Sequence, residues 1–454
     1  MIIPKSMPKI KRFFSGVCSR SFVTNYVMRL MVGFIDHRGR MSAIQAAGSV
    51  ASLSRHPAAI GRFLGRYGLW LRTMRVRLNE RLLESAGDRA GLYVLILDGT
   101  DITQQGAKTE NTFSTGNRKP RTAQAPRYSK RRVARHSCHR HVMGLLLTPS
   151  GTRIPYYVPY YTRDYCLVPD RPFRTQADLG AEIISQVKIP DGARVVVVGD
   201  TAYEARQVRR ACAARSFSWI TPANTERVLA GDKPRPKLWS LVESLPGDRY
   251  VEIKLTSQKA MLAPQRRMSR CRRGLKTYPP TFYVHQERRC LRSIGEVQVV
   301  FSTKSKPQHD RPIPRDQVKI LLTNDPRLSA EQVVAIYALR WQIELFFKEL
   351  KSFLGLHGYR LREFDRAEAW VEACLIAFIY LEWIRCDRIR HATSATDRRR
   401  WQQQRTYGLA SAVRQHVVET ELIEIHRCTR TDYGRRKLRN LLRAALPRNY
   451  QLSI

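Results

Sequence analysis

An α/β fold, with a mixed sheet flanked by helices and set between helical terminal regions, is what this sequence predicts. Two continuous apolar runs, Tyr93 to Leu97 (YVLIL) and Arg194 to Val198 (RVVVV), are short enough for buried strands, and an aspartate follows each. Helical spacing separates the later strand-like runs, and turn residues punctuate them.

The elements follow in order. Residues 22–88 carry apolar positions at three- and four-residue spacing and read as helical. Within them Ser54 to Leu71 contains two short helical pieces interrupted by glycine, with Arg55, Arg62 and Arg66 between apolar positions. Both a helix-turn-helix DNA reader and a plain helical pack fit that stretch. Tyr93 to Leu97 is the first strand, ended by Asp98-Gly99-Thr100. His141 to Leu147 and Arg153 to Pro159 are the second and third, around the turn Pro149-Ser150-Gly151. Gln176 to Val187 is a helix, Arg194 to Val198 a strand, Ala202 to Ala214 a helix and Phe217 to Thr221 a fifth strand.

From Pro222 to Pro314 the chain is rich in proline, lysine and arginine, with β-like runs at Tyr250 to Leu255, Thr281 to His285 and Glu296 to Phe301. A structureless loop of that length is unusual, so the stretch reads as a β-rich insertion. The core resumes at Val318 to Thr323 and stops at Asn324-Asp325-Pro326. Ser329 and Gln332 form a capping-box pattern that opens a long helix. After Gly358 the chain is helical and basic. The expected organisation is residues 1–90 helical and a candidate DNA-binding region, 91–221 and 318–358 the two parts of the core, 222–317 the insertion, and 359–454 the basic helical region.

Composition narrows the function. The chain has 80 Lys and Arg against 38 Asp and Glu, a formal net charge of +42. Such an excess repels itself in the folded state, and a polyphosphate partner, nucleic acid, removes the penalty. The charge is spread along the whole length rather than gathered in a basic amphipathic segment, which argues against a membrane partner. The longest apolar run, Cys374 to Ile384, is interrupted by Glu382 and falls short of the roughly 18 residues of a membrane span. No apolar segment follows Lys11 and Arg12, so no secretory signal is read. Nine scattered cysteines without a CxxC pair suit a reducing compartment. The expectation is a soluble, cytoplasmic, nucleoid-associated protein.

The chemistry is carried by three carboxylates. Asp98 and Asp200 each follow an apolar strand, where a side chain emerges at the rim of a sheet. Capping a turn is the ordinary use of such an aspartate; two of them in so basic a chain suggest more. Glu344 lies in YALRWQIELFFKELK, Tyr337 to Lys351. At roughly 100° per residue, Tyr337, Arg340, Glu344 and Lys351 fall within an arc of about 60°. The stripe is about 21 Å long at about 1.5 Å per residue, and can set a carboxylate among phosphate-seeking cations. Three carboxylates from distant segments suit a pair of Mg²⁺ ions, which take hard oxygen ligands, with Mn²⁺ as a possible substitute. Asp101 competes with Asp98 for that place. Arg118 to Arg140 holds nine Lys and Arg and no acid; within it Arg118, Lys119, Arg131 and Arg132 are candidate DNA-backbone contacts, as is Lys348 on the stripe's helix. His136, Cys138, His139 and His141 have no standard zinc spacing. Trp341, Phe346 and Phe347 read as packing residues that seat the helix.

The spacing of Tyr337, Arg340, Glu344 and Lys351 resembles the YREK signature of bacterial insertion-sequence transposases of the DDE type. LDGT at Leu97 to Thr100, GDTAY at Gly199 to Tyr203 and LLTNDP before the signature helix resemble that family as well, over roughly residues 90–355. The resemblance implies an RNase H-like catalytic core interrupted by a β-rich insertion. It also implies metal binding by Asp98, Asp200 and Glu344, and contacts from Tyr337, Arg340 and Lys351 to phosphates at the transposon end. A dimer on double-stranded DNA, holding terminal inverted repeats and a target, is implied too. Some relatives carry a tryptophan at the start of the LLT strand that stacks on a flipped base in a hairpin route; here Lys319-Ile320 stands there. The expected reaction is metal-dependent cleavage at element ends, freeing a 3′-hydroxyl, followed by its attack on target DNA. The alternatives are a nuclease or resolvase on the same core, and a DNA-binding protein without catalysis.

Overall fold

The computed structural model describes residues 7–36, 57–104, 108–116, 135–167, 171–224, 226–231, 235–255, 267–271, 274–278, 281–308, 311, 313–403, 425–426 and 428–445. Among the described residues the first helices are α1 (Met7–Phe14), α2 (Ser21–Asp36) and α3 (Pro57–Ala86). In the described part of Ser54 to Leu71 the two expected helical pieces meet at a kink at Tyr67, and no separate turn divides residues 57–86. Its glycines admit a neighbour rather than a turn. A Cβ on Gly65 would lie 3.2 Å from Arg366 Nε, and one on Gly68 3.5 Å from Ala369 Cβ.

Strand β1 (Leu92–Gln104) is buried from Tyr93 to Leu97. It does not end at Asp98, as expected. The period-two pattern continues, with Thr100, Ile102 and Gln104 buried and Asp101 and Thr103 exposed. β2 (Phe113–Gly116) and β4 (Arg153–Pro159) both pair with β3 (Arg135–Leu147), which starts six residues before the expected His141. Gly151 turns the β3–β4 hairpin at a positive φ of 83°, a backbone state that suits glycine. Helix α4 (Gln176–Gln186) opens with a capping box of Thr175 and Asp178. β5 (Arg194–Val198), α5 (Arg206–Ala214) and β6 (Ser218–Pro222) follow.

The β-rich stretch contains α6 (Ser240–Ser244), β7 (Val251–Lys254), a separate hairpin of β8 (Arg267–Cys271) and β9 (Gly274–Tyr278), β10 (Thr281–Leu291) and β11 (Gly295–Thr303). β12 (Val318–Thr323) then pairs antiparallel with both β6 and β11. The large sheet runs β2-β3-β1-β5-β6-β12-β11-β10-β7, with β4 also on β3. Its β4-β3-β1-β5-β6 part, with β1, β5 and β6 parallel, has the strand order of an RNase H-like core. β11, β10 and β7 extend that same sheet through the β11–β12 pairing.

After β12, α7 (Ala330–Ala338) starts at the expected capping box of Ser329 and Gln332. α8 (Trp341–Ser352) and α9 (Phe364–Arg390) follow, then α10 (Ala395–Gln403) and α11 (Asp432–Ala445). α9 is buried almost continuously from Ala367 to Cys386. It binds the N-terminal helices through Phe34 on Trp370 and Phe13 on Tyr380, and through a buried Arg75–Glu372 pair at 2.5 Å. Cys374 to Ile384 is thus internal core, not a face left open for a second subunit. No helix among the described residues is long and apolar enough to cross a membrane.

Candidate active site

Strand register brings the two aspartates together. β1 and β5 are parallel with Ile96 opposite Val198, and each aspartate lies two residues further on. Residues at one level of a parallel pair share a face, so both carboxylates leave the sheet at the same point of its rim. Asp98 Oδ1 accepts from the Gly99 amide at 2.8 Å. Asp200 Oδ1 accepts from the Ala202 amide at 2.9 Å and caps the short turn Thr201–Tyr203. Asp101 falls on the opposite face of β1, is exposed, and pairs with Arg140 at 3.4 Å.

Glu344 reaches this rim from α8. The expected single helix from Ser329 through Lys351 is corrected: it is two helices joined at Leu339 and Arg340. Amides of Leu339, Arg340, Gln342 and Ile343 donate three residues back, at 2.8–3.2 Å, a tighter winding than the α-helix. That turn delivers Arg340 between the carboxylates. Its Nη1 donates to Asp98 Oδ2 at 3.3 Å, and its Nη2 donates to Glu344 Oε1.

The electrostatics follow. Burial pushes Asp98 up to about 6; the Gly99 amide opposes this, Asp200 and Glu344 push the same way, and Arg340 opposes. Tyr337, half-buried, is raised to about 12 by burial, with the Asp200 and Asp98 charges adding to it and Arg340 opposing. All three acids and Arg340 therefore lie within one local field. Their oxygen donors suit a hard divalent cation, and a guanidinium already bridges two of them as a stand-in cation. Among the described residues, no three acidic, His or Cys side chains are closed around one metal position. Arg340 fills the gap between Asp98 and Glu344.

The other expected contacts divide. Lys351 Nζ donates to the Asp101 carbonyl at 2.9 Å, and burial lowers its pKa. Lys348 is exposed on α8. Phe346 and Phe347 are buried, but Trp341 is 37% exposed at the rim and does not seat the helix. Arg118, Lys119, Arg131 and Arg132 lie outside the described residues. Of the four His and Cys candidates, His139 and His141 are buried in a hydrogen-bonded chain. His139 Nε2 faces the Glu110 carbonyl at 2.9 Å and so carries the proton; Tyr359 then donates to His139 Nδ1, accepts from His141 Nε2, and Tyr157 donates to His141 Nδ1.

Sequence reasoning missed two features. Lys319, on β12, holds its ammonium 4.4 Å from the centroid of the Tyr337 ring, and partial burial and the nearby Arg340 lower its pKa. Its residue type gave no warning; only the strand's neighbours do. Behind the site, Arg153 binds Glu349 and Glu382, each at 2.6 Å, and Arg385 binds Glu382 at 2.6 Å. Burial favours a neutral Glu382, yet Arg153 and Arg385 hold it down at about 2. Glutamates on apolar helix faces, Glu349 beside Phe346 and Leu350 and Glu382 inside the longest apolar run, were the available signal.

Comparison with known proteins fits this geometry. The family described as "Transposase DDE domain" matches residues 174–380, a span that includes Asp200 and Glu344 and begins after Asp98. The putative transposase InsL for insertion sequence element IS186A, from Escherichia coli (strain K12), is 49% identical over 65 residues, 14% of this chain and 18% of that protein. The transposase for insertion sequence element IS421 of Escherichia coli gives the same figures. The transposase for insertion sequence element IS231D of Bacillus thuringiensis subsp. finitimus is 35% identical over 96 residues, 20% of this chain and 19% of that protein. The aligned stretches span about a fifth of the length of these relatives. Two strand-end aspartates and a helix-borne glutamate beside them agree with these similarities: residues 174–380 match the transposase DDE domain, and the chain is similar in part to insertion-sequence transposases.

Proposed function

We propose that this protein is a DNA transposase that cleaves at transposon ends and joins the freed ends to target DNA. The observation that carries the reading is that Asp98 on β1 and Asp200 just past the end of the adjacent parallel β5 lie at one level, with Glu344 linked to Asp98 through Arg340. The names of the relatives, all insertion-sequence transposases, support it. Its substrates would be duplex terminal inverted repeats and a duplex target, bound as a homodimer on DNA.

Asp98, Asp200 and Glu344 would hold divalent cations, Mg²⁺ or Mn²⁺. When bound, such a pair supplies Lewis-acid activation of the attacking oxygen and stabilisation of the leaving one. In the first step water attacks the phosphodiester at the element's end, forming a new P–O bond and releasing the 3′-oxygen. In the second, that 3′-hydroxyl attacks a target phosphodiester, forming a new P–O bond as the bond to the target strand's own 3′-oxygen breaks and that oxygen leaves, taking up a proton. The protein supplies position and charge rather than a nucleophile. Arg340 offers a planar pair of donors to a phosphate, and Lys348 and Lys319 offer point charges nearby. Lys351 fastens α8 to β1 at Asp101, which fixes Glu344 against the rim.

The test is a Glu344→Gln variant with end-labelled duplexes in Mg²⁺. End binding is expected to persist while nicking disappears; undiminished nicking would remove Glu344 from the site. Pre-cleaved ends incubated with plasmid then separate transposase from nuclease. Joined products support the reading, whereas plasmid cutting without joining replaces it by a nuclease.

A further inference from the structure

We propose that Arg340 is a latch: it occupies the carboxylate site in the DNA-free protein and leaves it when a DNA phosphate arrives. The inference rests on the transposase reading above and concerns how that site is regulated. Metal loading is then coupled to DNA binding through one side chain.

The geometry carries the argument. One guanidinium donates simultaneously to Asp98 and to Glu344, from a strand and a helix distant in sequence. A guanidinium stays charged throughout the working pH range, so proton loss offers it no exit. Carboxylate oxygens engaged in these bonds are not free to ligate a cation, and a cation entering between them meets a positive charge already in place. The groups facing Arg340 are Asp98 and Glu344, the Tyr337 hydroxyl, and the Lys319 ammonium on β12. Lys319 repels Arg340 and lowers the cost of departure. The same planar fork that spans two carboxylates matches two oxygens of a phosphate. A phosphate at the rim would therefore exchange one anionic partner for another and uncover the acids.

Linkage makes the consequence reciprocal: whatever factor DNA adds to metal affinity, metal adds to DNA affinity. The design prevents metal-dependent cleavage chemistry from being assembled before DNA is in place.

The experiment titrates Mn²⁺ alone into the DNA-free full chain, reading free Mn²⁺ by electron paramagnetic resonance. Arg340→Met is expected to bind Mn²⁺ about tenfold more tightly than wild type or better. Arg340→Gln, closer in polarity and checked for folding by circular dichroism, is expected to behave alike. Adding Glu344→Gln to either variant should abolish the gain, which assigns it to this site. Equal or weaker Mn²⁺ affinity in both folded variants overturns the latch. If wild type then still cleaves transposon ends in Mn²⁺, the transposase reading stands without it. If no form binds Mn²⁺ and no end is cleaved, both readings fall together.

Discussion

Arg153 and Glu349 form an ion pair at 2.6 Å, sealed from solvent on the side of α8 turned away from Glu344. Arg153 is the first residue of β4, so the pair bolts α8 to the sheet. Glu382 and Arg385 of α9 extend it into a chain of alternating charge. Removing one partner of a buried pair strands the other without compensation, which typically costs about 3–5 kcal/mol. Glu349→Ala should therefore lower stability by about 3 kcal/mol, read from urea unfolding. Glu344→Ala, five residues earlier on the other side of α8 and partly exposed, should change it by less than about 1 kcal/mol. Similar midpoints for the two variants would mean that the buried chain does not hold the helix.

The contrast between those glutamates explains what was legible in the sequence. Asp98 and Asp200 could be found because an apolar run followed by an aspartate is a local pattern, and the two runs pair in parallel in the sheet. Glu349 and Arg153 could not be paired from sequence, since their meeting depends on how α8 lies against β4. The same limit applies to the junction at Leu339 and Arg340. Ala338 to Trp341 are all compatible with a regular helix, and the tight turn there accompanies contacts between Arg340 and a distant strand. Glycines at 61, 65 and 68 suggested a break, because local spacing does not distinguish a glycine that ends a helix from one that admits another helix. The end of β1 was misplaced for a related reason: Asp98-Gly99-Thr100 has turn composition, but β3 continues beside it and keeps it extended.

Lys319 offers a test of the rim beyond Arg340 and Glu344. Its ammonium stacks on Tyr337 and makes no ion pair among the described residues. If it meets a phosphate of the bound end, Lys319→Gln should reduce the slope of log K against log salt by about 0.9. Binding at low salt should weaken a few-fold for every duplex sequence, as expected of a backbone contact. Fluorescence anisotropy across a salt series measures both quantities. An unchanged slope would assign Lys319 to packing alone.

The buried histidines predict how stability responds to acid. Burial pushes His139 down to about 4, and His141 well below its ordinary value through burial, His139 and Lys351. Unfolded imidazoles bind protons near pH 6.5, whereas folded His139 resists until about pH 4 and buried His141 also resists protonation well below its ordinary range. Between those values the unfolded state binds more protons, so stability is full above about pH 6.5 and falls as pH drops, by up to about 1.4 kcal/mol per unit for each histidine. Glu368 acts in the opposite sense, because burial raises it to about 7 and its contribution falls as pH rises. Comparing wild type with His139→Gln separates the two. The variant should be less stable at pH 8, having lost the bonds to Tyr359 and Glu110, yet should lose less on going to pH 5. Unfolding free energies at pH 5, 6, 7 and 8 give the slopes, and the variant's should be smaller by about one proton. Parallel curves would place the proton uptake elsewhere.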